Sequence, residues 1–232
     1  MNYISLNGYK STLIKGLLIS ELPPITKPAM RTSVDEVDGR DGDIITKLGY
    51  AAYDKKMTIG VYGDYNIDDI IQYFNSEGQV VFSNEPDKYY KYTILNQIDF
   101  ERLCRFKTAS VVFHVQPFKF SSVDNTLEYN NPVVSYIHAK NNGNVISRPK
   151  ITIIGSGTIT LTLHDFTFTL ALGTDETITL DGATLNAYNG DTLKNRKVTG
   201  NLKNLWLPVG ESLIEWTGTV TKLVITDGSR WI

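Results

Sequence analysis

The sequence predicts a mainly β protein: a first half of short strands carrying one helix and a long hairpin, then a second half built as a β-sandwich or jelly roll. Three observations predict it. Apolar runs in the first half are closed off by Pro, Gly, Asn or Asp; one stretch keeps a helical period; and residues 151–226 alternate at period two with many threonines.

The first expected strands are Gly16-Leu17-Leu18-Ile19-Ser20, Met57-Thr58-Ile59-Gly60-Val61-Tyr62 and Gln79-Val80-Val81-Phe82-Ser83. Between the last two, Asn66 is placed to cap a helix, Asp68 and Asp69 suit its positive end, and Gly78 is expected to close it in the left-handed conformation. Ile67, Ile70, Ile71 and Phe74 then form one apolar stripe. No other stretch carries a convincing helix. Tyr89 to Leu95 and Ser110 to Val115 predict two further strands joined through Ile98 to Phe106. Gln116-Pro117-Phe118 is expected to end the second, because proline cannot donate to a central ladder.

The stretch from Pro23 to Tyr50 behaves differently. Ala29 to Val37 is β-compatible but mostly polar, Asp38-Gly39-Arg40-Asp41-Gly42-Asp43 is a strong turn signal, and Ile44 to Leu48 returns. Such a hairpin has too few apolar residues to bury itself. It is either a solvated surface element or an arm completed on a neighbouring subunit, since exposed strand edges invite pairing. Arg31, Asp35, Arg40, Asp41 and Asp43 are its candidate contact residues.

After Asn130-Asn131-Pro132 the texture changes, which sets a domain boundary near residue 128 and divides the chain into 1–128 and 129–232. Thr158 to Leu163 and Phe166 to Leu170 alternate around His164-Asp165, predicting an antiparallel hairpin with one wet face. Thr177 to Leu180 and Ala183 to Leu185 flank Asp181-Gly182 as a second hairpin. Further strands are expected over Leu205 to Leu207, Ser212 to Trp216 and Thr219 to Ile225.

The search for chemistry returns little. Net charge is -2 over 232 residues, so no overall positive field exists to hold phosphates. The single cysteine, Cys104, lies in an apolar-rich run and is expected to be a buried, inert thiol. His114, His138 and His164 are scattered without metal-ligand spacing, so no metal is expected. Gly155-Ser156-Gly157 lacks the spacing of a nucleophile elbow and precedes a strand, and no phosphate-binding loop occurs, so no cofactor is expected either. Glu211, Glu215 and Asp181 are the carboxylates that a hydrolase would use, although nothing in their spacing favours catalysis. Carbohydrate binding is better supported, because Trp206, Trp216, Trp231, Tyr188 and Asn189 combine aromatic faces with a polar neighbour; Trp206, Tyr188 and Asn189 are the preferred contacts. The N-terminus shows neither a signal peptide nor a membrane span, so synthesis and folding in a cytoplasm are expected.

The order of these features resembles the phage distal tail protein family. It is carried by the Gly39-Arg40-Asp41-Gly42 turn followed by Leu48-Gly49-Tyr50, Lys56-Met57-Thr58-Ile59, the helix leading to Gly78, Tyr89-Tyr90-Lys91-Tyr92, and Phe113-His114-Val115-Gln116-Pro117-Phe118. In the second half Asn141-Asn142-Gly143-Asn144, Arg148 to Ile153, Gly155-Ser156-Gly157 and Asp227-Gly228-Ser229-Arg230-Trp231 extend it. The resemblance implies an N-terminal β-sandwich with the helix and hairpin arm, and a C-terminal galectin-like sandwich projecting outward. It further implies a non-enzymatic virion protein at the tail tip, made in a host bacterial cytoplasm. A homohexameric ring would meet the tail tube (major tail) protein on one face. The other face would meet the hub, fibre or receptor-binding protein, while DNA passes through without specific binding and no membrane is involved. A second domain of about a hundred residues leaves little room for an inserted carbohydrate-binding module.

Overall fold

The computed structural model describes residues 1–123 and 125–232. Its contacts separate Met1–Ser122, together with Ile232, from Val123–Trp231.

In the first unit the chain forms β1 (Ile4–Leu6), β2 (Tyr9–Lys10), β3 (Leu17–Glu21), β4 (Met30–Asp35), β5 (Ile44–Tyr50), β6 (Tyr53–Val61), α1 (Ile67–Phe74), β7 (Glu77–Phe82), β8 (Lys88–Ile94), α2 (Phe100–Phe106) and β9 (Thr108–Ser121). An antiparallel sheet runs in the order β2-β1-β7-β8-β9-β6-β3, while β4 and β5 pair only with each other. Period-two alternation turns Met57, Ile59, Val80, Phe82, Tyr90, Val111 and Phe113 onto one buried face. The stripe of α1 delivers Ile70 and Phe74 to the same core.

The Asn66 cap is present, its side chain accepting from the Asp68 amide. The expected stop is not. The helix ends at Asn75, and Gly78, with φ 132°, lies inside β7. There a Cβ would come within 2.2 Å of Asn7 Oδ1. The Asn7 side chain needs that space, because it donates to the Glu77 carbonyl and accepts from the Gln79 amide.

A second helix, α2, occupies the segment expected only to join two strands. Asp99 caps it by accepting from the Arg102 amide at 2.7 Å, and Lys107 ends it in the left-handed region at φ 59°. Only Leu103 of its residues is buried, so no apolar stripe announced it. Cys104 on this helix is half-buried rather than buried.

The strand expected to stop at Gln116-Pro117-Phe118 continues to Ser121. β8 pairs Tyr92 with Val115 and Tyr90 with Lys119 across a register shift, and the β6 ladder ends at Tyr53 opposite Val115. Pro117 therefore sits where neither of these ladders asks for its missing N–H.

The second unit contains β10 (Thr126–Asn130), β11 (Tyr136–Asn141), β12 (Lys150–Leu163), β13 (Phe166–Asp181), β14 (Asn186–Asn189), β15 (Thr192–Leu193), β16 (Val198–Thr199), β17 (Gly210–Thr226) and β18 (Arg230–Trp231). β17, β12 and β13 lie side by side, with β10 and β11 both on β17. The predicted hairpin at His164-Asp165 joins β12 to β13.

These long strands are folded across their middles. Lys150 pairs with Asp181 at one end of β12 and Leu163 with Phe166 at the other, and the ladder breaks between Gly155 and Gly157. Extended, the 14 residues of β12 would span roughly 46 Å. Yet adjacent residues touch both ends: the Leu205 carbonyl lies 2.5 Å from where a Gly182 Cβ would stand, and the Trp206 ring is 5.1 Å from the His164 ring. Only a ladder doubled back on itself satisfies both. Ile151, Ile153, Ile178 and Leu180 from one half thus share a core with Ile159, Leu161, Phe168, Leu170, Ile214 and Trp216 from the other.

Three local expectations are corrected. Ala183 to Leu185 is a turn rather than a strand, because the Asp181 carboxylate accepts from the Ala183 and Thr184 amides and curls the chain there. Leu205 to Leu207 contributes one isolated bridge, Leu207 to Ser147, after a tight turn at Leu202–Asn204. Ser212 to Trp216 and Thr219 to Ile225 are one strand, β17, bent at Gly218 with φ 95°.

The motifs Asn141 to Asn144 and Asp227 to Trp231 meet in space. Ser229 Oγ donates to Asp227 and accepts from the Asn142 amide, while the Asn144 amide donates to the Arg230 carbonyl. A Cβ on Gly143 would lie 2.1 Å from that carbonyl, so glycine is required by close approach.

Candidate functional site

Among the described residues, the β4–β5 ladder is the paired element whose two strands both keep their side chains open on both faces. Register sets the faces: Met30 pairs with Tyr50, Thr32 with Lys47 and Val34 with Ile45, while Arg31 pairs with Gly49, Ser33 with Thr46 and Asp35 with Ile44. Opposed residues point the same way. One face therefore carries Met30, Val34, Ile45 and Tyr50 with Thr32 and Lys47 among them, and the other Arg31, Ser33, Thr46 and Asp35 with Ile44. A register shift between Arg31 and Thr32 leaves Leu48 as the extra residue of a bulge. Val34 is 52% exposed, Ile45 61% and Leu48 56%. The hairpin is a ribbon whose more apolar face is covered by its own chain at Tyr50 near the root but left open at Val34 and Ile45.

Of the residues singled out by charge, Arg31 and Asp35 lie on the polar face of the ribbon, and Arg40, Asp41 and Asp43 at its tip. All are exposed. The apolar set was missed, because Met30, Val34 and Ile45 are dispersed in sequence and converge only through strand pairing.

The root of the arm is held firmly. Tyr50 packs edge-on against Phe118 at 5.8 Å, and the Ala51 amide donates to the Ala29 carbonyl. On the incoming side Asn84 Nδ2 donates to the Pro23 carbonyl, Lys55 Nζ to the Pro24 carbonyl at 2.8 Å, and Tyr53 Oη to the Thr26 carbonyl. Lys55 is 3% exposed, with its ammonium over the rings of Tyr90, Tyr53 and Phe82 at 4.9, 5.6 and 5.8 Å. Glu85 lies nearby, but its oxygens accept from Lys119 Nζ and Tyr90 Oη, each at 2.6 Å. Burial pushes Lys55 down to about 8, against the opposing pull of Glu85. Burial also raises Tyr53, and raises Tyr90 further with help from Glu85.

The carbohydrate candidates are placed as follows. Trp206 is half-buried and lies against His164, Tyr188 on β14 donates its hydroxyl to Asp181 Oδ2 at 3.4 Å, and Asn189 is exposed beside the β14–β15 turn. Lys150 is raised, first by its hydrogen bond with Tyr188. Trp216 is core, at 4% exposure.

Of the carboxylates weighed for hydrolysis, Glu211 and Glu215 point outward from β17, whereas Asp181 is buried and committed to its turn. His114 contacts Asp54 at 2.8 Å, and His138 meets Tyr136 edge-on. Among the described residues no group of His, Cys, Asp or Glu is arranged to hold a metal ion, and no helix is long and apolar enough to cross a membrane.

No protein-family model matches the sequence, and no curated protein matches it. Solved structures do. The Dit protein of phage SPP1, described as a paradigm of the hub adsorption apparatus of phages infecting Gram-positive bacteria, has a TM-score of 0.75 at 14% identity, with 100% of both chains covered. A chain of the phage P2 baseplate in its activated conformation with Ca has a TM-score of 0.53 at 8% identity, covering 97% of both chains. The Sr form gives 0.54 at 9% identity, covering 97% of this chain and 96% of that one. From end to end, this chain has the fold of the Dit hub protein.

Proposed function

We propose that this chain is a distal tail protein, a structural and non-enzymatic part of a long-tailed phage virion, made in the host cytoplasm and built into the tail tip. Six copies form a ring through the N-terminal domain. One face joins the tail tube protein and the other the hub, fibre or receptor-binding protein, and DNA passes through the centre. The observation that carries the reading is the arm left open at Val34 and Ile45, in a chain whose whole length follows a phage hub fold. A closed ring uses head-to-tail contacts, so each subunit needs two different complementary surfaces. The ribbon supplies one: its apolar face seats on a neighbour, and Arg31, Asp35, Arg40, Asp41 and Asp43 fix register from the polar face and tip. A net charge of -2 suits a channel that DNA must not adhere to.

Native mass spectrometry of the purified chain should show a hexamer that disappears when residues 33–46 are replaced by a short turn. A chain that stays monomeric at high concentration, and is missing from the tail tip of the assembled particle in electron micrographs, would overturn the proposal.

A further inference from the structure

Residues 22–29, the strap leading into the arm, belong to no strand, and Pro23 and Pro24 have no N–H with which to form one. Beyond the Ala51 amide on the Ala29 carbonyl at its end, what holds the strap is a set of side chains gripping its carbonyls. Asn84 takes Pro23, Tyr53 takes Thr26, and Lys55 takes Pro24 by the shortest of these bonds, 2.8 Å. Lys55 occupies an inward position of β6, in step with Met57 and Ile59, where alternation calls for an apolar side chain. Its burial is unbalanced, because Lys119 and Tyr90 already engage the oxygens of Glu85. An ammonium in a core position costs stability that a methionine of similar length would not. The ring faces of Tyr90, Tyr53 and Phe82 and the charge of Glu85 offset part of that cost, and the one hydrogen bond the ammonium gains is to the Pro24 carbonyl.

We propose that Lys55 is a latch for the arm: by binding the Pro24 carbonyl from inside the core, its ammonium clamps the strap to the sheet and fixes the direction in which the hairpin leaves the domain. The latch belongs to the single chain, and only its purpose rests on the assembly role proposed above. It also sets two properties of the molecule against each other. Removing the charge should relax the strap while leaving the domain equally or more stable, whereas a purely structural lysine would lower both together.

The test compares wild type with Lys55→Met by hydrogen exchange and denaturant unfolding, at a matched oligomeric state checked by light scattering. The Ala51 amide, which donates to the Ala29 carbonyl at the end of the strap, should exchange on the order of tenfold faster in the variant, with the unfolding midpoint unchanged or raised. Unchanged strap exchange, or a strap loosened only in step with a lower midpoint, overturns the latch. If the variant does not fold, wild type answers alone through pH. The groups facing Lys55 are Tyr53 on its own strand, Glu85 after β7, Tyr90 on β8 and Lys119 on β9. Both tyrosines are raised and stay neutral near pH 8. Folding depresses Lys55 from 10.5 to about 8, so between those values the unfolded chain binds more protons and stability rises with pH. Strap protection, corrected for intrinsic exchange, should fall over the same interval. Movement of both in one direction overturns the proposal. Strap exchange is read independently of assembly, so a missing ring and a missing latch are distinguishable outcomes.

Discussion

The arm and the C-terminal sandwich are the same kind of object with opposite fates. Both are antiparallel ladders in which alternation gathers apolar side chains on one face. In the sandwich Ile151, Ile153, Ile159 and Leu161 are fully buried, because the ladder folds back and covers its own face. In the arm Val34 and Ile45 stay open, because strands of 6 and 7 residues end before anything can return over them. Alternation specifies a face; it does not specify the cover. The sandwich finds its cover by bending at glycines, and beyond Tyr50 at its root the arm leaves Val34 and Ile45 without cover from its own unit.

The bend offers the largest test of that contrast. A Cβ on Gly155 would lie 2.3 Å from the Thr219 carbonyl and 2.6 Å from Ile159 Cδ1. Gly155→Val should therefore cost about 3 kcal/mol or more in denaturant unfolding. At the arm tip a Cβ on Gly42 would meet nothing, so Gly42→Ala carries only the left-handed backbone penalty of its 78° φ, about 1 kcal/mol. Equal costs at the two sites would remove the distinction between a packed bend and a free turn.

Much of this was legible beforehand, and the failures have a common cause. The hairpin at His164-Asp165, the cap at Asn66 and the arm strands all follow from local chemistry and short periods. The bends at Gly155 and Gly218 were read as gaps between strands, because what passes beside each glycine comes from a distant segment. Helix α2 was missed because its apolar contact with the core is short, Leu103 being buried and Phe100 only partly so. The apolar face of the arm escaped for a similar reason: Val34 and Ile45 meet only through strand pairing, and the bulge at Leu48 puts Tyr50 on the same face as Ile45 at an odd spacing, where counting by two would not place it. Charge drew attention to Arg31 and Asp35, which occupy the other face.

A smaller, pH-limited effect tests how the bend of β13 is pinned. Glu176 Oε2 accepts from the Gly173 amide at 2.7 Å and from Lys197 Nζ, and Lys194 lies 3.6 Å from Oε1. The Gly173 amide first, then the Lys197 bond, hold Glu176 down at about 2. A depressed carboxylate stabilises the fold fully above its unfolded value of 4.5, and the contribution is lost as pH falls through about 2. Glu176→Gln should flatten that part of the acid stability profile and change little in the shape of the curve above pH 5. The arm holds no counterpart to this pin, so an identical acid slope in the variant would mean that the bend does not depend on Glu176.

The most direct comparison makes one chemical change in both ladders. Ile153→Thr places a hydroxyl in the sealed core of the sandwich, where Ile153 is fully buried, and should cost about 2–4 kcal/mol. Ile45→Thr, at 61% exposure, should leave the stability of the subunit within about 0.5 kcal/mol of wild type. Its effect should appear instead in assembly, as the proposed ring weakened on the order of tenfold per contact when subunits are titrated by light scattering. If Ile45→Thr destabilised the isolated subunit as strongly as Ile153→Thr, the apolar face of the arm would already be covered by its own chain. It would then have nothing left to offer a neighbour.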